Sequence, residues 1–110
     1  AEVKNATLND QAGSLTVSEA QTVFLQCDAT GYPTPNVTRS RNVTGTSDVI
    51  KGGENWTDNE CHRSSRDVLV EVTCRDIGTY TCTASNGLGE PDHKSMQLDV
   101  LGMLKVRMFC

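Results

Sequence analysis

Val23-Phe24-Leu25-Gln26-Cys27-Asp28-Ala29 alternates apolar and polar side chains, and this period of two residues is typical of a strand with one buried face. Cys27 falls on the apolar side. A second stretch, Asp76-Ile77-Gly78-Thr79-Tyr80-Thr81-Cys82-Thr83-Ala84, alternates in the same way and places Tyr80 and Cys82 on one side and three threonines on the other. Both cysteines are therefore expected to point into a core.

A disulfide between Cys27 and Cys82 would join two strands that are too far apart in the sequence to form a hairpin. It would close a loop of about 55 residues, and on a simple chain-entropy model such a closure contributes about 4 kcal/mol to stability. The bond would therefore connect one sheet to another.

These two stretches resemble the immunoglobulin superfamily, in which a tyrosine stands two residues before the second cysteine of the pair. The resemblance is closest to the I-set, and it covers about residues 14–101. Three further sequence segments support the resemblance: Leu15-Thr16-Val17-Ser18-Glu19, Gly31-Tyr32-Pro33-Thr34-Pro35 and Ala84-Ser85-Asn86-Gly87-Leu88-Gly89. The resemblance implies an all-β fold, an immunoglobulin-like antiparallel β-sandwich of Greek-key topology, with Cys27 and Cys82 joined between its sheets.

We expect one domain at residues 1–102, followed by a tail or linker at 103–110. The predicted strands are 14–18, 22–29, 36–41, 67–73, 78–85 and 94–101, with an edge strand within residues 1–13 that turns Val3 and Leu8 inward. Asp48-Val49-Ile50-Lys51 is a candidate for a short additional edge strand. No window predicts a helix longer than one turn.

Composition and charge limit the partners. The chain has 110 residues, 10 basic and 14 acidic side chains, and a formal net charge of -4 with no block of one sign. This balance disfavours nucleic acid and anionic membrane surfaces as partners. No apolar run approaches the roughly 20 residues that span a bilayer. With neither an initiator Met nor a signal peptide, we interpret the sequence as a mature ectodomain or a piece of a longer, multi-domain, membrane-anchored or secreted chain.

Cysteines and sequons both indicate an extracellular location. Five cysteines in 110 residues are many for a reducing cytosol. The sequence also contains four Asn-x-Thr sequons, which predict N-linked glycosylation in a secreted protein. The predicted acceptors are Asn5, Asn36, Asn42 and Asn55.

We predict a second disulfide between Cys61 and Cys74. An antiparallel hairpin of the segment that contains Cys61 with the strand predicted at 67–73 would bring their Cα atoms within the about 4.4–6.8 Å that a disulfide needs. Four cysteines allow three pairings, and Cys110 makes the count odd. Cys110 could therefore be a thiol or bond to another chain or domain.

The sequence departs from its family at the third strand, where I-set domains carry a Trp that packs on the disulfide. Arg39 stands at that position, two residues after Val37. A buried guanidinium is costly unless it is paired and hydrogen-bonded. Three solutions are open: the strand twists so that Arg39 reaches solvent, a neighbouring carboxylate satisfies it, or the single tryptophan, Trp56, covers the disulfide instead.

A second structural expectation follows from the resemblance. In the superfamily an arginine near the strand that precedes the one predicted here at 67–73 often pairs with the aspartate that opens the motif around the second cysteine. Arg63 or Arg66 is therefore expected to pair with Asp76.

We find no catalytic constellation, metal site or cofactor motif in the sequence. Cys61, His62, Cys74 and His93 lack the spacing of zinc ligands. Gly87-Leu88-Gly89 has neither a third glycine nor a helix start, and it is predicted to be a turn between strands. The chain is accordingly not expected to be an enzyme.

Phe24 is expected to point away from the core, with Val68 or Val70 beside it, and is the candidate binding residue. The alternative is that the edge strand or a local bulge covers it. The candidate contact surfaces are this face of the sandwich and the loop ends. The predicted function is an extracellular protein-recognition module in adhesion, guidance or immune recognition, with a protein partner that could be a second copy. The alternative is a ligand-binding or spacer domain of a signalling receptor, such as a receptor tyrosine kinase ectodomain. The cysteines and sequons oppose a third reading, an intracellular muscle-type domain.

Overall fold

The computed structural model describes residues 1–43, 46–50, 54–59, 61–69 and 71–101, and at residues 43, 46–48, 54, 56, 58 and 59 the description is of the backbone. Within these ranges the chain forms strands joined by turns, with a single turn of 3-10 helix at Cys74–Asp76. The strands are β1 (Glu2–Leu8), β2 (Ser14–Ser18), β3 (Val23–Thr30), β4 (Asn36–Val43), β5 (Thr46–Val49), β6 (Glu54–Asn59), β7 (His62–Leu69), β8 (Gly78–Ser85) and β9 (Asp92–Leu101). The predicted tail, 103–110, lies outside the described residues.

The strands form two sheets. Sheet one has the order β1-β3-β7-β6, and all its neighbours are antiparallel. Sheet two has the order β2-β9-β8-β4-β5 and is antiparallel except that β2 runs parallel to β9. The predicted sandwich is therefore confirmed, with one parallel pair that the sequence did not indicate.

The core lies between the sheets and follows from the period-two pattern of the strands. The four inward side chains of β3, all apolar, are fully buried, as are the inward side chains Tyr80, Cys82 and Ala84 of β8. Burying a Val or Leu side chain contributes about 1.5–3 kcal/mol, so these rows supply much of the force that holds the sheets together. The core consists of Val3, Ala6, Leu8, Val17, Val23, Leu25, Cys27, Ala29, Val72, Tyr80, Cys82, Ala84, Met96, Leu98 and Val100.

Strand prediction succeeded where apolar residues alternate and failed at β7. The predicted bounds of β2 and β8 are confirmed, β3 is shifted by one residue, and β4 and β9 each extend the predicted span by two residues. Strand β7 was expected at 67–73 but runs from His62 to Leu69. The reason is that the side chains of β7 opposite the inward row of β3 are polar, with Ser65 opposite Cys27 and Asp67 opposite Leu25, so no apolar alternation marks the strand.

Across the described ranges, the structure contains no helix of a length and hydrophobicity that would cross a membrane.

Candidate functional site

The disulfide between Cys27 and Cys82 lies at the centre of the sandwich. Their Cα atoms are 6.1 Å apart, and both residues are fully buried. Cys27 belongs to β3 of sheet one and Cys82 to β8 of sheet two, so the bond connects the two layers. This confirms the pairing that the sequence predicted.

Arg39 takes the position next to this disulfide and forms an ion pair there. It lies opposite Cys82 in the β4–β8 ladder and is 5% exposed. Its Nη1 lies 3.6 Å from Oδ2 of Asp67, whose side chain is 18% exposed. Of the three solutions proposed for Arg39, the structure shows the neighbouring carboxylate. The Trp56 hypothesis concerns a side chain outside the described part of the chain.

The interior beside the ion pair is polar on the β7 side. Ser65 lies opposite Cys27 and is fully buried. Its Oγ has no hydrogen-bond partner in the structure. Such buried unsatisfied groups are uncommon, and they reduce stability. The disulfide and the Arg39–Asp67 pair therefore occupy a more polar centre than the sequence of β3 alone would suggest.

A second cluster closes the end of the sandwich where β8 begins. The hydroxyl of Tyr80 donates a hydrogen bond to the carbonyl oxygen of Asp76 at 2.6 Å, which is the tyrosine corner expected from the sequence. The Asp76 carboxylate accepts from the backbone N–H of Thr73 at 2.8 Å and lies 3.3 Å from Nη1 of Arg41. The ion pair with Asp76 therefore connects Arg41 on β4 to the tyrosine corner.

The prediction that Arg63 or Arg66 pairs with Asp76 is wrong. Strand β7 pairs with β3 so that Arg63 lies opposite Ala29, far from the start of β8. Arg66 stands on the outer side of sheet one. Arg41 reaches Asp76 instead because β4 is the direct neighbour of β8.

Replacing Tyr80 by Phe should lower the free energy of unfolding by about 1–2 kcal/mol, because the substitution removes a hydrogen bond to a carbonyl that is not fully exposed. Urea denaturation at pH 7 measures this loss. Replacing the exposed Tyr32 by Phe is the matched control and should have little effect. Equal stability of the Tyr80 variant and the wild type would show that the corner contributes nothing.

Replacing Tyr80 by Phe should also change how the free energy of unfolding depends on pH in alkaline solution. Burial raises the pKa of Tyr80 above its usual value of 10.0, against a smaller opposing effect from its hydrogen bond to Arg41. The folded state thus holds the phenolic proton more tightly than the unfolded chain does. This contribution to stability is present below about pH 10 and is lost as the pH rises through the folded-state pKa. The stability difference between wild type and the Phe variant should therefore shrink in alkali.

The predicted Cys61–Cys74 disulfide is wrong. Cys61 precedes β7, and its carbonyl oxygen accepts a hydrogen bond from Gly31, which follows the end of β3. Cys74 is disulfide-bonded and lies two residues after Val72, which hydrogen-bonds to Gln21 before β3 begins. The eight residues of β3 span about 26 Å, whereas a disulfide tolerates about 7 Å between Cα atoms. Cys110 lies outside the described residues.

The outer side of sheet one carries an exposed apolar pair. Phe24 and Val68 are opposite each other in the β3–β7 ladder, and each is 41% exposed. The guanidinium carbon of Arg66 lies 5.1 Å from the centroid of the Phe24 ring, at a distance where a cation and an aromatic face attract each other. We call Phe24, Arg66 and Val68 the sheet-one patch. The outward position of Phe24 is confirmed, while Val70 lies outside the described residues.

The outer side of sheet two is polar along β8 and β9, whereas exposed Val49 lies on its edge strand β5 and exposed Leu101 at the end of β9. Thr79 donates to Gln97 at 3.0 Å, and the hydroxyls of Thr81 and Ser95 are 2.9 Å apart. Side chains that satisfy one another in this way offer little apolar area to a partner. The two faces of the sandwich therefore differ in chemistry, and in sheet one an exposed aromatic side chain lies beside an exposed aliphatic one.

The asparagines of the four sequons are all exposed in the structure. Asn5 lies on β1, Asn36 and Asn42 on β4, and Asn55 on β6. No group of three His, Cys, Asp or Glu side chains within the described ranges is placed to hold a metal ion.

Sequence reasoning missed three participants: Asp67 as the partner of Arg39, Arg41 as the partner of Asp76, and Arg66 on the ring of Phe24. Each contact joins side chains from different elements of the fold, two of them between strands and one between β4 and the 3-10 turn. The alternation of a single strand shows which side a residue faces but not its cross-strand neighbour, which depends on register.

Comparison with known proteins agrees with this architecture. The family model described as immunoglobulin domain matches residues 6–86. The chain is 36% identical over 85 residues to the MAM domain-containing glycosylphosphatidylinositol anchor protein 1 of Homo sapiens, in an alignment that covers 77% of this chain and 8% of that protein. It is 34% identical over 87 residues to lachesin of Schistocerca americana, covering 79% of this chain and 23% of the relative.

Among solved structures, the titin domains z1z2 in complex with telethonin match with a TM-score of 0.64 and 26% identity, covering 93% of this chain and 49% of that one. The chain spans less than a quarter of the length of the two sequence relatives. The I-set subtype stays a prediction. Because the family model covers most of the two-sheet core and the disulfide joins its two layers, the chain belongs to the immunoglobulin domain family.

Proposed function

We propose that this domain is a non-catalytic, extracellular protein-recognition module of a larger cell-surface or secreted protein, and that it binds its protein partner through the sheet-one patch. The observation that carries the proposal is the exposure of Phe24 beside Val68, with Arg66 stacked on its ring. Aromatic and arginine side chains dominate the binding energy of protein interfaces, and charge-poor apolar centres are typical of them.

Two further observations support the extracellular part of the proposal. The disulfide between Cys27 and Cys82 is of the kind that persists in oxidising compartments. One relative is by its name a glycosylphosphatidylinositol anchor protein, and the similarity to it supports a membrane-anchored chain. An intracellular muscle-type role is compatible with the fold but gives no reason for a buried disulfide.

The sheet-one patch can be tested with beads that carry the oxidised chain. The beads are mixed with each other, which detects binding to a second copy, and with an array of cell-surface ectodomains, which detects other partners. Replacing Phe24 by Glu should weaken the binding found by at least about 30-fold, because loss of a central interface residue costs about 2 kcal/mol or more.

A matched control keeps the added charge and moves it to the other face. Ser95 is exposed on the outer side of β9 in sheet two, so Ser95→Glu should bind like the wild type. Circular dichroism and the melting temperature show that both variants are folded. Binding that survives Phe24→Glu, or that is lost equally in Ser95→Glu, would contradict the assignment to the sheet-one patch.

A further inference from the structure

The turn between β8 and β9 contains an asparagine whose side chain can react with its own backbone. Asn86 is the one asparagine of the sequence that a glycine follows. Because glycine has no Cβ, its backbone nitrogen can approach the side-chain carbonyl carbon of the preceding asparagine with little steric hindrance. Every other asparagine precedes a residue with a side chain. Asn86 is therefore the asparagine most open to attack by the backbone nitrogen that follows it.

The geometry of the turn favours this attack. Gly87 is exposed and has a φ of +80°, and a Cβ built on it would meet no heavy atom beyond its chain neighbours within 4 Å. The backbone N–H of Leu88 donates a hydrogen bond to Oδ1 of Asn86 at 3.1 Å, which holds the side-chain carbonyl against the backbone of the turn. A donor at that oxygen also stabilises the negative charge that develops on it when Cγ is attacked.

We propose that Asn86 is a site of spontaneous deamidation. The backbone nitrogen of Gly87 forms a bond to Cγ of Asn86 and the Cγ–Nδ2 bond breaks, so that Nδ2 leaves as ammonia together with the proton of the Gly87 N–H. Water then opens the resulting succinimide at either of its carbonyl carbons and gives aspartate or isoaspartate. Water is the co-reactant, and no electrons are transferred.

Deamidation would break the link between two loops at this end of the sandwich. Nδ2 of Asn86 donates a hydrogen bond to the carbonyl oxygen of Pro33, in the loop after β3, at 3.1 Å. A Cβ built on Gly31 would lie 3.3 Å from the same nitrogen, so the amide packs closely against that loop. An ionised carboxylate has no proton to donate, and it would face the Pro33 carbonyl as a second acceptor.

The two loops that Asn86 connects carry exposed apolar side chains, with Tyr32 72% and Leu88 62% exposed. Loss of the link would change how these two side chains are presented to a partner. Both hydrogen bonds of Asn86 are exposed, and water largely replaces such bonds when they are lost. Deamidation should therefore alter this end of the domain without unfolding it, and this inference does not depend on binding through the sheet-one patch.

Deamidation is measured on the oxidised, folded chain kept at body temperature in mildly alkaline and in mildly acidic solution. Peptide mass spectrometry follows the loss of each unmodified asparagine peptide, and chromatography separates the aspartate and isoaspartate products. The unmodified Asn86 peptide should be lost faster than the Asn9 peptide, which is the internal control because Asn9 also lies in a turn but precedes Asp10. The loss should be faster in alkali, where the Gly87 nitrogen gives up its proton more readily.

A synthetic peptide of residues 83–92 shows whether the folded turn contributes. The folded chain should lose unmodified Asn86 at least as fast as the peptide does, because the Leu88 N–H is already in place. If Asn86 persists in the folded chain while the peptide is modified, the fold protects the amide and the proposal is overturned. Loss of Asn86 no faster than loss of Asn9 would overturn it as well.

The link between the loops is tested separately with Asn86→Asp, which carries a carboxylate from the start. Its free energy of unfolding should match that of the wild type, whereas backbone hydrogen exchange at residues 31–34 and 86–89 should be faster. Asn5→Asp, the matched control, adds the same charge at an exposed position on β1 and should leave exchange in both loops unchanged. Unchanged exchange in Asn86→Asp would overturn the role assigned to the amide in joining the loops.

Discussion

Replacing Asp67 by Ala should lower the free energy of unfolding by about 3–5 kcal/mol, because it leaves the guanidinium of Arg39 without its carboxylate in the core. Arg39 is 5% exposed and lies beside Cys82, so water cannot readily replace the lost partner. Urea denaturation followed by circular dichroism measures the change. Glu90→Ala, which removes an exposed carboxylate in the turn between β8 and β9, is the control and should cost little.

A double variant separates the charge effect from the loss of packing. Replacing Arg39 by Met and Asp67 by Leu removes both charges and keeps side chains of similar length. Apolar replacement of a buried ion pair is often neutral or stabilising by about 1–4 kcal/mol. We therefore expect the double variant to be at least as stable as the wild type. A loss below about 1 kcal/mol in Asp67→Ala would show that Arg39 does not depend on this carboxylate.

Replacing Cys27 and Cys82 together by Ala should lower the free energy of unfolding by about 2–5 kcal/mol, since a disulfide that closes a long loop restricts the unfolded chain. Small domains with one core depend strongly on such bonds. Thermal and urea unfolding of the oxidised wild type and of the double variant give the difference. Reducing agent should destabilise the wild type and leave the variant much less affected.

The control for this prediction is Cys61→Ala, because Cys61 is exposed and belongs to neither strand of the pair. The free energy of unfolding of Cys61→Ala should be close to that of the wild type. A double variant at positions 27 and 82 that unfolds like the wild type would mean that the sheets are held together without the bond, and the stabilising role assigned to it would be withdrawn.

The strands around Cys27 and Cys82 were predictable because their inward positions are apolar and their outward positions polar. The same alternation gave the outward direction of Phe24, and both directions are confirmed. Strand β7 was placed too late because its inward positions hold polar residues such as Ser65, so hydrophobic periodicity carried no signal there. Such a strand is recognisable once its ladder with β3 is known.

Contacts between side chains on different strands depend on the register of strand pairing. The sequence of one strand does not determine that register. Arg41 and Asp76 are 35 residues apart and meet because β4 pairs with β8. The incorrect Cys61–Cys74 bond arose in the same way. Predicting β7 at 67–73 put Cys74 just after its end and left Cys61 on a neighbouring strand, whereas the actual strand places the two cysteines at opposite ends of the sandwich.

A non-reducing peptide map of the secreted chain tests most directly whether this is an oxidised two-sheet sandwich. Digestion without reduction should give one mass in which the peptide that contains Cys27 is linked to the peptide that contains Cys82, and no mass that links Cys61 to Cys74. Recovery of Cys27 and Cys82 as separate thiol peptides would contradict the disulfide-linked core, and with it the extracellular role proposed for the domain.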